Sequence, residues 1–97
     1  MREYGQIVNL LKFINEFCSF TSSGDSKILD MLGKFAKNPT AWDIELAIDR
    51  EYDVLTFKCW TRDYGSVSIC ADVDFDEIAK DYDLDNLTYE VCNKGLD

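Results

Sequence analysis

VLTFKCWTRDYGSVSICADVDF, residues 54–75, alternates apolar and polar side chains on both sides of a turn-forming centre. Leu55, Phe57 and Cys59 alternate with Thr56, Lys58 and Trp60, and Val67, Ile69, Ala71 and Val73 alternate with Ser68, Cys70 and Asp72. A period of two is that of a half-buried strand, so the stretch predicts an antiparallel hairpin. If Asp63, Tyr64 and Gly65 form a three-residue loop, Gly65 takes the left-handed position of a type I turn with a G1 bulge. Leu55 then faces Val73, Phe57 faces Ala71, and Cys59 faces Ile69. A slip of one residue would set Leu55 and Phe57 against Asp74 and Asp72, which burial rejects. The chosen register leaves Asp72 and Asp74 on the outer face, beside Thr56 and Val54.

On the N-terminal side, Ile44, Leu46 and Ile48 alternate with Glu45, Ala47 and Asp49, which predicts one more strand. Before Pro39 the period is helical. EYGQIVNLLKFINEFCSF, residues 3–20, carries Ile7, Leu10, Leu11, Ile14, Phe17 and Cys18 at the spacing of one helix face. TSSGD, residues 21–25, reads as an interruption. A second helix is expected from Ser26 to about Lys37, with Ile28, Leu29, Leu32, Phe35 and Ala36 on its apolar side. Asp25 or Ser26 caps its free N–H groups, Lys34 and Lys37 suit its negative end, and Asn38-Pro39 stops it.

On the C-terminal side, Phe75, Ile78, Ala79 and Tyr82 predict a short third helix, opened by a capping box of Asp74 and Glu77. LTYEVC, residues 87–92, with Leu87, Tyr89 and Val91 on one face, predicts a last strand at an edge. The fold class is therefore α+β, as a single domain over residues 1–97. An antiparallel sheet of three to four strands carries two N-terminal helices on one face and a short third helix.

The chain has 97 residues, 46% hydrophobic and 13% aromatic, with a net charge of −9. The charge alone would suggest disorder, but six Phe, five Tyr and two Trp bury enough surface to offset the ordering entropy. No apolar run approaches a membrane span, no signal peptide is expected, and an acidic surface is repelled by anionic lipid. A cytoplasmic monomer in a host cell is the expectation. Cys18, Cys59, Cys70 and Cys92 form no CxxC pair and there is no histidine, so buried reduced thiols are expected rather than a zinc site.

The acidity is uneven. Residues 1–42 hold five basic and four acidic residues, whereas residues 43–97 hold five basic and fifteen acidic. DVDFDEIAKDYDLD, residues 72–85, packs seven carboxylates and one lysine into fourteen positions. Its D-x-D-x-D opening suggests a calcium loop, yet position 6 is Glu77 in place of a turning Gly and position 12 is Asp83 in place of a bidentate Glu. A frame beginning at Asp81 ends on Cys92. No metal ligand set or cofactor is expected. Without histidine, a P-loop or a GxGxxG pattern, the chain is not expected to be an enzyme. Direct binding of nucleic acid is opposed by charge, because Lys27, Lys34 and Lys37 make a thin patch.

Spacing gives the acidic stretch another meaning. Alternate strand residues lie ~6.7 Å apart, and neighbouring phosphates on B-DNA about 6–7 Å apart. Asp72, Asp74, Asp76, Glu77, Asp81, Asp83 and Asp85 can thus imitate a row of phosphates, extended by Glu45, Asp49, Glu51 and Asp53. In size, acidity and mixed α+β character the chain resembles the small acidic inhibitors of phages and mobile elements, including DNA-mimicking anti-CRISPR proteins. That resemblance implies a protein that occupies the basic DNA-binding groove of a CRISPR surveillance complex and keeps target DNA out. An immunity protein or antitoxin neutralising a basic nuclease toxin needs the same surface. A small adaptor anchored by Trp42, Trp60 and Tyr64 is a further alternative.

Overall fold

The computed structural model describes residues 2–37, 42–61 and 65–93. Helices α1 (Arg2–Phe17) and α2 (Ser22–Lys37) precede strands β1 (Trp42–Asp49), β2 (Val54–Thr61) and β3 (Gly65–Asp72). Helix α3 (Phe75–Ala79), a 3₁₀ turn (Leu84–Asn86) and helix α4 (Leu87–Cys92) close the chain. The sheet is antiparallel in the order β1-β2-β3, so the expected α+β class holds.

Alternation along β2 explains the layering. Leu55, Phe57 and Cys59 are wholly buried, while Lys58 and Trp60 on the other face are exposed. Full burial of a Leu or Phe contributes about 1.5–3 kcal/mol, so one face of the sheet must be covered. Leu10, Phe13 and Ile14 of α1 and Ile28, Met31 and Leu32 of α2 join the inward rows of all three strands in one core.

The observed hairpin register differs from the expected one by two residues. Leu55 lies opposite Ala71, Phe57 opposite Ile69, Cys59 opposite Val67, and Thr61 opposite Gly65. A two-residue shift keeps every side chain on its face, so hydrophobic alternation cannot detect it. The turn decides. Gly65, with φ +90°, pairs as the first residue of β3 and moves the connection to residues 62–64. The turn expected at Asp63 and Tyr64 lies outside the described residues, as does the helix stop at Asn38 and Pro39.

Two helix boundaries also move. Residues 22–25 of the TSSGD segment already belong to α2, because Thr21, not Asp25 or Ser26, supplies the cap. Its Oγ1 accepts from the Gly24 N–H at 3.2 Å. A Cβ on Gly24 would stand 3.3 Å from both Phe20 Cβ and Thr21 Oγ1. The glycine that looked like a turn signal is a close-packing residue in the first helical turn. Helix α3, expected to reach Tyr82, ends at Ala79.

The expected last strand is a helix. Leu87, Val91 and Cys92 are buried, whereas Tyr89 is 42% exposed. Positions 87 and 91 satisfy both a period of two and a period near four, so six residues could not separate the patterns. Docking against α1 and β1 settled it, overriding the β-propensity of Thr, Tyr and Val. Where a fourth strand would have paired, Thr88 Oγ1 instead accepts the Leu46 N–H of β1 at 3.1 Å.

The β1–β2 turn holds Asp53 at φ +53°, a left-handed position that Asp tolerates and β-branched residues do not. Asp53→Val is therefore expected to lower stability by about 1–2 kcal/mol and Asp53→Gly to leave it unchanged or higher. Urea denaturation of the two variants checks this.

Candidate protein-binding surface

The acidic residues reach one end of the sheet by two routes. The β1–β2 turn delivers Asp49, Glu51 and Asp53, and the chain leaving β3 delivers Asp72, Asp74, Asp76 and Glu77. The routes are tied together: the Val73 N–H donates to the Asp53 carbonyl at 3.1 Å, and Val54 pairs with Asp72. Arg50 spans them, its Nη2 3.4 Å from Asp76 Oδ1 and its guanidinium 5.9 Å from the centre of the Phe75 ring. The Arg50–Asp76 pair is widely exposed and contributes no more than about 1 kcal/mol.

Beyond α3 the chain carries Asp81, Asp83 and Asp85 around Tyr82. Tyr82 sets its ring edge-on to Phe13 at 5.5 Å and to Phe17 at 5.8 Å. An aromatic anchor thus holds the acidic loop against the end of α1.

Several of these carboxylates have work inside the fold. Asp74 caps α3, accepting from the N–H groups of Asp76 at 3.0 Å and Glu77 at 3.4 Å. Asp49 accepts from the N–H groups of Glu51 and Tyr52, and Asp83 from that of Asp85. Glu77 pairs with Lys80 at 2.9 Å, and this hydrogen bond raises the Lys80 pKa above its ordinary value. The carboxylates of Glu51, Asp53, Asp72, Asp81 and Asp85 make no hydrogen bond or ion pair among the described residues, although the charge of Asp81 adds to the rise in the Lys80 pKa.

The expected strand spacing stops early, because Asp74 already caps a helix and Asp76 lies within it. Glu45 is not brought to this end. It sits mid-strand opposite Lys58, on the outer face. Sequence reasoning missed Arg50, the bridging base in the turn, and Glu90, whose Oε1 accepts the Asp83 N–H at 3.1 Å. Arg50 was legible as the single base within DREYD, residues 49–53.

Among the described residues no group of three or more His, Cys, Asp or Glu is placed to hold a metal ion, and no helix is long and apolar enough to cross a membrane. The four cysteines are free thiols. Burial raises the pKa values of Cys18, Cys59 and Cys92 to about 12. Cys70, expected to be mostly buried with the others, is exposed, because its place in the alternation puts it on the outer face of β3 beside Thr56. No family model matches the chain, and no match was found among curated proteins or solved structures.

Two outcomes follow. With iodoacetamide near pH 8, peptide mapping should show Cys70 alkylated first and Cys59 and Cys92 only after unfolding. Asp74→Ala should cost about 1 kcal/mol in thermal or urea unfolding through loss of the cap, whereas Asp81→Ala should stay within about 0.5 kcal/mol.

Proposed function

We propose that this chain is an acidic DNA mimic that occupies the basic DNA-binding surface of a CRISPR surveillance complex and blocks target DNA. One observation carries the reading: two separate chain segments bring their charge to the same end of the sheet. Residues 49–53 contribute three carboxylates and residues 72–85 contribute seven, against Arg50 and Lys80 alone, a formal charge of −8. Such an end steers itself toward a positive groove and repels duplex DNA.

Caps and turn bonds support the reading further, because they hold several carboxylates in place before any encounter. A preordered array loses less entropy on binding than mobile side chains do. The groove's arginines and lysines would meet the five carboxylates that hold no internal hydrogen bond or ion pair, with the capped ones contributing field rather than contacts.

These distinctions choose the variants. Glu51→Lys, Asp72→Lys, Asp81→Lys and Asp85→Lys together bring this end to about neutral without touching a cap. In a DNA-loading assay on a CRISPR surveillance complex, the quadruple variant should inhibit about tenfold or more weakly than the native chain. A charge-matched control at Glu16, Asp25, Asp30 and Asp43 should retain most inhibition. Inhibition should also fade with rising salt, given a Debye length of about 8 Å at physiological ionic strength. Undiminished inhibition by a folded quadruple variant sinks the proposal. So does a native chain that leaves DNA loading intact but silences a basic nuclease, which would make it an immunity protein.

A further inference from the structure

The two edges of the sheet are treated differently. On β1, Thr88 closes an outward N–H, that of Leu46. On β3, Asp72 points both its N–H and its C=O away from β2, and both bond to Ser19, at 2.8 and 3.0 Å. Strand groups alternate in direction, so the N–H and C=O groups of Ser66, Ser68 and Cys70 also point away from β2. These have no partner among the described residues. Ser66, Ser68 and Cys70 are exposed.

An open edge normally carries a lysine, a proline, a bulge or a covering element that prevents unwanted pairing. GSVSICA, residues 65–71, contains no charge and no proline. The covering element stands back: between α2 and β3 lies a cleft of about 340 Å³ lined by Lys27, Asp30, Met31, Lys34, Ser66, Val67 and Ser68. Met31 and Val67 give it an apolar part, Ser66 and Ser68 border it on the strand side, and the helix side carries Lys27, Lys34 and Asp30.

The geometry points to this edge and its cleft as a docking site for an extended acidic peptide that pairs with β3 as a fourth strand. Backbone pairing to Ser66, Ser68 and Cys70 supplies affinity, and the cleft selects side chains. Charge chooses the occupant. Lys27 has no ion-pair partner among the described residues, and Lys34 holds Asp30 at 3.2 Å in an exposed pair that exchanges readily. Lys27 and Lys34 stand about 10.5 Å apart along the helix at 1.5 Å per residue. Acidic side chains two or four residues apart on a strand, roughly 7 or 13 Å, reach both. A second copy of this chain would instead bring two lysine-bearing walls together. The site lies toward the far end of β3 from the acidic turn and does not rest on the DNA-mimic reading.

The test uses a random heptapeptide display library selected on the immobilised full chain. Recovered peptides should carry Asp or Glu two or four residues apart among β-formers. A synthetic copy should slow amide exchange at Ser66, Ser68 and Cys70 by about tenfold or more. Ser68→Pro removes an outward N–H at an edge that tolerates proline, and should abolish binding with unchanged circular dichroism. Lys27→Glu with Lys34→Glu, on an exposed helix face, should weaken binding about tenfold or more and covers the case in which Ser68→Pro unfolds. Failure to recover peptides, selection without acidic residues, or equal binding by the lysine double variant overturns the proposal. Concentration-dependent dimers that protect the same amides without peptide also overturn it, and assign the edge to a second copy.

Discussion

Everything in this fold is organised around the inward row of β2. Leu55, Phe57 and Cys59 are wholly excluded from water, and the strand carrying them bonds to a neighbour on each side. Two consequences are immediate. The helices must cover that one face, and the polar face opposite is left outside. A polar substitution in this row would strand an unsatisfied group at the centre of the core, a loss of roughly 1–3 kcal/mol before any packing change.

The acidic end presents a different balance. Two unit charges 4 Å apart in water repel by about 1 kcal/mol, far less than in a dry interior. Exposure is therefore what makes ten carboxylates tolerable there. The fold reduces the cost further by giving Asp49, Asp74 and Asp83 backbone N–H groups to accept from. Local geometry thus uses part of the charge, and the remainder is left for solvent or a partner. The same argument explains why the capping residues are poor probes of binding: each change there alters the turn it holds.

How much of this was legible in the sequence depends on what each pattern can resolve. Period-two alternation located all three strands and assigned their faces, because a one-residue error would have buried Asp72 or Asp74. It was blind to a two-residue error, and Gly65 set the register instead. Asp74 was readable as a cap because the cap is local. Thr21 was missed because Ser22, Ser23 and Gly24 look like a turn until Gly24 is seen against Phe20. Residues 87–92 failed for want of length. Of the acidic array, the local density was visible, but the meeting of Asp53 with Val73 is a tertiary hydrogen bond that spacing does not encode.

Helix α1 depends on partners that come much later in the chain. Phe13 and Phe17 wait for Tyr82, and the Gln6 side chain donates to Asn93 Oδ1 at 2.6 Å across 87 positions of sequence. Loops of that length must close before such contacts stabilise anything. Helix α1 is made before these partners, so the part of its surface that Tyr82 and Asn93 cover stays open until residues 82–93 have been added. A nascent chain therefore carries this end of the amphipathic helix incompletely covered while residues 18–81 are being added, and such exposed apolar surface is prone to aberrant association.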